Sequence, residues 1–598
     1  MSKDTKVTMP IDYTHRDFES IKSDLLQIAQ RYYPENFQDF SEASFGSLML
    51  DAVAYVGDQL SFYLDYSVNE SFLDTAYSYN NIARHGRIMG YKAPGPASTF
   101  GQVALYAQVP ADTSGIGPDN RYIPLLKRGS RFKSQTGLDF ILTSNIDFNA
   151  PKNPIIVSQV SDATGSPTFF AIKAYGNVVS GKFGRITKTV GKFQRFMKIK
   201  LGAPSITEII SVIDSQGNEF YEVDYLSQDM IYKELANDNY KNDNVPSVLK
   251  PMVVSRKFVV VRERNGVYLQ FGSGKAGETN VIAKPQSVAL DLFGKDYVTD
   301  TTFDPTRLSK NSSFGIVPAN TTLSIVYRVT NAANSNVAVG ALNKIGNALV
   351  EFADSTALSA LTMNSVRESI EVSNETQILG ETSLPNNAEL KRRIYDTFPT
   401  QNRAVTQSDY ESLCYRMPAK YGSISRVSTQ KDPDSLKRNL NLYVVSEDNF
   451  GKLTLTNSTI KNNLKTWLNR YRMINDTIDI LDPYLINLGI NYTIKVMPSA
   501  NKSAVLGVAM RALTSQYNEK MFIGEHFYIS DVYSILKDQD GILDVSNVQL
   551  ITKAGARYSN IDFAINKNLS PDGSYLMCPK NAIFEVKFPN VDIKGKVT

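Results

Sequence analysis

Cysteine and histidine are scarce in this chain of 598 residues, and each scarcity excludes a class of site. The two cysteines, Cys414 and Cys578, are far apart in the sequence, so they exclude a disulfide framework and favour a reducing compartment. None of the three histidines (His15, His85 and His526) has another histidine or a cysteine four residues away, and none has a cysteine beside it. We therefore predict no metal site and no bound cofactor.

Charge of one sign and long uninterrupted apolar runs are also lacking. The net charge is +4, which is small for this length and does not by itself indicate a nucleic-acid or membrane partner. The best membrane candidate, residues 45–68, contains Asp51, Asp58 and Asp65, so we do not expect it to span a bilayer. The first residues, MSKDTKVTMP, have no apolar signal core. We expect a soluble protein that is made in a cytoplasm.

The stretch FGSGKAGET at residues 271–279 resembles a nucleotide-binding P-loop but fails its spacing. Aligning Gly274 and Lys275 with the Gly-Lys pair of the motif puts Leu269 where the first glycine belongs. The same alignment puts Ala276 where a hydroxyl should bind Mg²⁺. Pro285 also opposes the helix that must follow.

We therefore predict a turn between strands at this stretch, with Gly272, Gly274 and Gly277 free to adopt positive φ. No Gly-x-Ser-x-Gly motif and no other catalytic set is present in the sequence. We predict that the protein is not an enzyme and has no small-molecule substrate.

The first ninety residues have the three-to-four-residue periodicity of helices. Two apolar stripes stand out, and their members are Phe18, Ile21, Leu25 and Ile28, then Leu48, Val53, Leu60 and Leu64. Such stripes either close their own domain or form a bundle with helices of another chain, and periodicity alone does not distinguish these two roles.

A break rich in proline and glycine, APGPASTFG at 93–101, separates the helices from a region rich in alternating strands. The predicted fold class is α+β multidomain. It has an N-terminal helical bundle segment (1–92), a β-rich middle (93–345), a helical connector (346–400) and a C-terminal α+β domain (401–598). Within the last region, SDYESLCYRMPAKYGSISRVS and SDVYSILKDQDGILDVSNV indicate a duplicated helix–strand unit.

Residues 163–207 contain no aspartate or glutamate and many basic residues. The candidate basic assembly surface comprises Lys182, Arg185, Lys188, Lys192, Arg195 and Lys198. Basic residues interleaved with aromatics can bind single-stranded nucleic acid or an acidic partner protein, or they can simply occupy the solvent-exposed face of a sheet. The nearly neutral overall charge favours an assembly surface over general binding of nucleic acid.

Three segments follow one another in the middle of the chain, and they are YIPLLKRGSRFKSQTGLDFILTS, VYLQFGSGKAGE and LSIVYRVTNAANSNVAVGAL. A fourth segment, GSLMLDAVAYVGDQLSFYLDYSVNESFLDTA, lies near the N terminus. In this order the segments resemble baseplate J-like proteins of contractile tails. The N-terminal run narrows the resemblance to the large baseplate wedge protein of T-even-like phages. The turn markers of this resemblance are Gly129, Phe271, Gly272, Gly274, Asn336 and Gly340.

This resemblance implies a structural role in the tail baseplate of a virion assembled in the host cytoplasm. It implies pairing with a second copy and N-terminal helices that bundle with another wedge subunit. It also implies C-terminal domains that join neighbouring wedges into an inner ring around the hub, where the sheath-initiating subunit docks. Such a ring relays the conformational change that triggers sheath contraction.

Three rival functions remain open at this point. One is a receptor-binding or other tail adhesin, although such proteins usually show repeats that are lacking here. Another is a nucleotide-binding enzyme that uses the Gly272–Lys275 loop. The third is nucleic-acid binding through 182–200.

Overall fold

A computed structural model describes residues 17–32, 44–92, 97–113, 115–163, 165–202, 205–236, 247–263, 266–274, 314–330, 335–383, 385–432 and 439–598. The chain divides into two compact units. The first combines Met1–Ala93 with Pro385–Pro399, and the second combines Pro94–Leu384 with Thr400–Thr598.

The helices of the described residues fall into both units. In chain order they are α1 Phe18–Tyr32, α2 Phe45–Asn69, α3 Tyr79–Ile88, α4 Ala360–Glu368, α5 Asn387–Thr397, α6 Gln407–Tyr415, α7 Ser458–Leu468, α8 Lys502–Gln516, α9 Ile529–Lys537, α10 Ile565–Asn568 and α11 Pro589–Asp592. Short 3-10 turns cover Asn120–Tyr122, Phe398–Thr400 and Ala419–Tyr421.

The first unit contains α1, α2, α3 and α5. Asn386 caps α5 by accepting a hydrogen bond from the backbone N–H of Glu389, as expected for an asparagine at this position. A small core joins α3, α5 and the segment before α3, and its buried members are Leu73, Ala76, Ile82, Tyr91, Leu390 and Ile394.

The second unit begins with a seven-stranded sheet in the order β17-β3-β4-β7-β1-β19, with β6 also paired to β7. These strands are β1 Phe100–Pro110, β3 Arg131–Ser134, β4 Asp139–Leu142, β6 Ile155–Val160, β7 Pro167–Ser180, β17 Leu342–Asn347 and β19 Glu371–Ser373. A three-stranded sheet lies beside it, made of β2 Leu125–Leu126, β5 Ile146–Asp147 and β18 Val350–Glu351. Alternate residues of β1 and β7 fill one core, because a strand turns successive side chains to opposite faces.

A second seven-stranded sheet has the order β8-β16-β10-β11-β14-β15-β9. Its strands are β8 Lys182–Val190, β9 Lys198–Lys200, β10 Ile206–Ile213, β11 Glu219–Glu222, β14 Lys257–Glu263, β15 Gly266–Phe271 and β16 Thr321–Val329. A hairpin of β12 Met230–Ala236 and β13 Ser247–Val253 forms a separate pair. Strands β8 and β9 lie at opposite ends of the sheet but are joined by 191–197, and one core contains residues from both ends. The sheet therefore curls around that core.

The C-terminal part combines two small sheets with helices. One contains β20 Arg426–Lys431, β21 Asn439–Glu447, β22 Leu453–Leu455 and β23 Thr477–Leu481. The other contains β24 Tyr484–Val496, β26 Ile542–Lys553, β28 Ala582–Glu585 and β29 Ile593–Val597. A short pair is formed by β25 Phe527–Tyr528 and β27 Tyr575–Leu576. Helix α6 precedes β20 and α9 precedes β26, so both copies of the duplicated sequence form a helix followed by a strand. The predicted α+β multidomain class is confirmed.

The predicted turn markers occupy tight backbone positions in the second unit. Gly129 and Gly340 have φ of +91° and +73°, a region that glycine adopts without a steric penalty. Phe271 is fully buried and packs edge-on against Phe220, with ring centroids 5.5 Å apart. Asn336 is buried and hydrogen-bonded through both ends of its amide.

Our expectation of positive φ is wrong for Gly272, and the structure shows a different need for glycine there. A Cβ on Gly272 would lie 2.3 Å from the carbonyl oxygen of Phe314 and 2.4 Å from that of Gly315. The turn packs directly against another backbone segment, since Gly274 N–H donates to the Gly315 carbonyl at 3.0 Å. Lys275 and Gly277 lie outside the described residues.

We expect Gly272→Ala to destabilise the protein by about 1–3 kcal/mol, because the added methyl group displaces backbone that has no room to move. Gly191→Ala is the matched control, since a Cβ there meets nothing within 4 Å. Urea unfolding should show a lower midpoint for Gly272→Ala only. Equal midpoints for the two variants would contradict the role given to this close approach.

Candidate partner-binding surface on the N-terminal helices

Helix α2 is 25 residues long and begins at a capped N terminus. The side chain of Ser44 accepts a hydrogen bond from Ser47 N–H at 3.1 Å, which satisfies one of the free donors of the first turn. The side of α2 that meets α1 carries small residues. Ser47 and Ala54 are its buried residues, and a Cβ on Gly57 would lie 3.2 Å from the side chain of Ile21.

An ion pair also holds α1 against α2, with Lys22 Nζ 2.7 Å from the Asp51 carboxylate. Both side chains are about one-third exposed or less, and exposed pairs of this kind contribute little by themselves. The contact between the two helices therefore depends mainly on close approach along the small residues.

The large apolar side chains of α2 point away from α1 and into solvent. They range from 46% exposed at Tyr66 to 73% at Phe45. At 3.6 residues per turn they cover about 240° of the helix circumference. We call this set the outer face of α2, and its members are Phe45, Leu48, Met49, Val53, Tyr55, Val56, Leu60, Phe62, Tyr63, Leu64, Tyr66 and Val68.

The end of the outer face is held in place by a buried carboxylate. Glu70, the C-cap of α2, accepts hydrogen bonds from the backbone N–H groups of Tyr77 and Ser78 and from the Asn81 amide, each at 2.8–2.9 Å. The hydrogen bond from Asn81 is the largest cause that lowers the pKa of Glu70 below its usual value. This network joins the last turn of α2 to the start of α3.

The predicted partner-helix residues divide between two environments. On α1, Phe18, Ile21 and Leu25 are half-buried and Ile28 is 43% exposed. On α2, Leu48, Val53, Leu60 and Leu64 all belong to the outer face. Within the described residues, the α2 stripe does not close its own domain.

Sequence reasoning missed the aromatic part of the outer face. Phe62 packs against Tyr63 and Tyr66, with centroids 5.9 and 6.4 Å apart, and all three rings are exposed. The available signal was that apolar residues of α2 occupy nearly every side of the helix except the small-residue side. Such breadth is typical of a helix that is covered on more than one side.

Residues 14–88, which span α1, α2 and α3, match the family model described as "Bacteriophage baseplate protein, N-terminal domain". The N-terminal helices form a phage baseplate domain. On this match the chain is a structural component of a phage baseplate, and its place is the tail baseplate of the virion. No curated protein matches the chain significantly.

Two solved structures are similar at low levels. One is the cryo-EM structure of the anti-feeding prophage (AFP) baseplate, with TM-score 0.23, 10% identity, and coverage of 94% of this chain and 89% of that chain. The other is the type VI secretion system TssK-TssF-TssG baseplate subcomplex, with TM-score 0.22, 9% identity, and coverage of 73% and 95%. Scores this low do not establish a shared fold.

The predicted basic residues lie on β8, on the connection 191–197 and on β9. They do not share one face, because Lys182 and Lys188 alternate with Arg185 along β8. Arg185 Nε donates to Ser324 Oγ at 2.9 Å on the neighbouring strand β16. Strand β8 is an edge strand, where charged residues also prevent pairing with other chains.

Both cysteine thiols are buried. Burial raises the pKa of both thiols, that of Cys578 to about 12, so neither is a thiolate at neutral pH. No cluster of three or more metal-ligating side chains occurs in the described ranges. A cavity of about 200 Å³ has Lys452, Lys520 and Glu585 in its wall, and Glu585 already accepts hydrogen bonds from Leu453 N–H and the Asn487 amide at 2.9 Å.

Among the helices that the structure describes, none is long and apolar enough to cross a bilayer.

Proposed function

We propose that this baseplate protein is a wedge subunit that assembles by burying the outer face of α2 against helices of another wedge subunit. The observation that supports it is the exposure of that face within a baseplate domain. Contiguous apolar patches of this kind mark interaction sites on soluble proteins. Covering each large side chain contributes roughly 1 kcal/mol, so the whole face supplies on the order of 10 kcal/mol before the costs of association.

The charge of α2 fits this role. The acidic side chains Asp51, Asp58 and Asp65 recur every seven residues, on the side of the helix that carries Ser47 and Ala54 or beside it, and Lys22 neutralises Asp51. No charged residue occurs among the members of the outer face. A partner helix with an apolar stripe can therefore cover it without burying an unpaired charge.

We also propose further partners for this protein within the baseplate. A second copy, neighbouring wedges and the sheath-initiating subunit complete an inner ring around the hub, and the ring relays the change that triggers sheath contraction. Arg185, on one face of β8, and the exposed residues Lys192, Arg195 and Lys198 are the proposed contact for an acidic surface of one of these partners. Lys182 and Lys188 lie on the opposite face of β8 and are left out of this contact. The proposal includes no nucleic acid, membrane or small-molecule substrate.

The test is co-expression of the full chain with the products of its neighbouring baseplate genes, followed by electron microscopy of the purified material. Wedge-shaped complexes or rings are the expected result. The basic contact is checked by whether raised salt weakens the same complexes. A chain that purifies alone in every combination, although folded, would overturn the proposal.

A further inference from the structure

The second seven-stranded sheet has a hydrophobic core of its own, and all buried members of that core lie within residues 190–325. The core around Trp467 in the C-terminal part differs, because it also contains Phe100, Ile141 and Val179 of the first sheet. Shared apolar burial therefore fixes the first sheet against the C-terminal part. Among the described residues, the second sheet shares no buried core residue with either of them.

The chain enters and leaves the second sheet at one place. It enters after Ser180 and returns from β16 at Thr330, and the hydroxyl oxygens of these two residues are 3.0 Å apart. Gly181 lies against the returning strand, since a Cβ there would be 2.4 Å from the Val329 carbonyl oxygen. A void of about 20 Å³ beside these crossings, with Asp139 in its wall, has room for a water molecule. The sheet is thus attached along one line of element-terminal residues, which is the usual construction of a hinge.

A buried arginine holds the sheet beside this line. The side chain of Arg328, on β16, is 3% exposed and donates to the Ser180 carbonyl at 2.7 Å and to the Ser98 hydroxyl at 2.9 Å. The same guanidinium pairs with Glu208 of β10 at 3.0 Å. One side chain therefore links two strands of the second sheet to the end of β7 and to the segment before β1 in the first sheet.

The C-terminal part also meets the second sheet through charge. Strand β10 packs against the turn Ala419–Tyr421, which contains Lys420. Burial lowers the pKa of Lys420, but the carboxylates of Glu222 and Glu208 outweigh burial and raise that pKa above its ordinary value. Contacts made by charges and hydrogen bonds resemble the polar interfaces across which domains move relative to one another.

We infer that the second sheet and its core rotate as one rigid body about the crossings at 180–181 and 329–330, and that Arg328 with Glu208 locks this body in the position described. The basic contact proposed above lies on the same body. Its rotation therefore changes the direction in which that contact faces relative to the first sheet. This inference goes beyond the proposed partners and does not depend on them.

The test measures distances within the full-length chain by double electron–electron resonance between spin labels on pairs of new cysteines. Gln135→Cys with Gln216→Cys connects the first sheet to the second. Gln135→Cys with Lys465→Cys is the matched control pair, because it connects two parts that share a core. All three labelled positions are exposed, whereas native Cys414 and Cys578 are buried and do not take up the label.

We expect Glu208→Gln, which keeps the size of the side chain and removes its charge, to raise the population of other orientations about tenfold. This change appears as a second distance for the Gln135–Gln216 pair, while the control pair keeps its single distance. Glu219→Gln is the control substitution, since Glu219 lies opposite Ile213 at the far end of β10 from Glu208, and it should leave both distances unchanged.

Ser98→Ala removes only one hydroxyl partner of Arg328 and should produce the same second distance at a lower population. It keeps the comparison available if Glu208→Gln proves too unstable to label. A single, unchanged distance for the Gln135–Gln216 pair in these variants would overturn the inference, and so would equal broadening of both pairs. Neither outcome depends on capture of another wedge subunit by the outer face of α2, so failure of one proposal is distinguishable from failure of the other.

Discussion

Leu60→Asp should abolish capture of the other wedge subunit while the protein stays folded. Leu60 is 58% exposed and lies near the middle of the outer face of α2. In the free chain, aspartate at this position remains hydrated, and its lower helix propensity costs less than about 0.7 kcal/mol. Thermal unfolding of the variant alone should therefore differ little from wild type.

The expected loss appears only in the complex. The substitution removes the burial of the exposed part of a leucine side chain, worth about 1–2 kcal/mol, and adds the cost of placing a carboxylate among apolar side chains. A combined loss of about 2–4 kcal/mol corresponds to a roughly 30- to 1,000-fold weaker complex. Co-purification with the neighbouring gene products, followed by mass measurement of the complexes, gives this readout.

Leu361→Asp is the matched control for this experiment. Leu361 is 82% exposed on α4, in the second unit, so the same chemical change is made at a solvent-exposed leucine outside the proposed surface. This control should assemble like wild type. Assembly of Leu60→Asp at wild-type level, or equal loss in both variants, would contradict the proposed role of the outer face.

Periodicity and capping were enough to predict most helices of this protein. Thr406 and Asp409 have the Thr-x-x-Asp pattern of a capping box, and both reciprocal hydrogen bonds are present at the start of α6. The stripes of α1 and α2 were equally visible in the sequence. Whether these stripes are exposed could not be predicted from the sequence. A helix has the same pattern of apolar residues whether its own domain or another chain covers it.

Contacts between distant segments were also beyond prediction from the sequence. The Asn336 side-chain amide donates to the carbonyls of Glu381 and Glu447 at 2.9 Å, and its oxygen accepts from Glu381 N–H at 3.1 Å. Arg328, buried on β16, donates to the Ser180 carbonyl at 2.7 Å and pairs with Glu208 at 3.0 Å. Each link joins residues 45 or more positions apart, and no local pattern marks such a partner.

Glu447→Ala should be among the most damaging single changes in the second unit, with a loss of about 3–5 kcal/mol in the free energy of unfolding. The Glu447 carboxylate is nearly fully buried and lies 2.6 Å from Lys520 Nζ. It also accepts from the Ser383 and Ser425 hydroxyls at 2.7 Å and from Ser383 N–H at 3.0 Å. Its removal leaves the largely buried ammonium of Lys520 without its counter-charge.

Glu351→Ala provides a matched control for Glu447→Ala. Glu351 pairs with Lys127 at the same 2.6 Å, but both side chains are about half exposed. Loss of such an exposed pair should cost less than about 1 kcal/mol. Urea unfolding of the two variants compares two ion pairs of equal length that differ in burial. Equal losses would show that burial does not explain the contribution of the Glu447 pair to the free energy of unfolding.

Acid should remove the contribution of Glu447 in a defined direction. Burial raises its pKa, but the charge of Lys520 and the hydrogen bonds of Lys520, Ser383 and Ser425 outweigh burial and hold the pKa below the ordinary 4.5. The unfolded chain therefore takes up this proton at a higher pH than the folded chain does. The stabilisation is complete above about pH 4.5 and is lost as the pH falls through the lower folded pKa. Glu447→Gln, which cannot titrate, should lose less stability than wild type between pH 5 and about pH 3. If the stability of both proteins falls equally over that range, the acid sensitivity arises from other carboxylates.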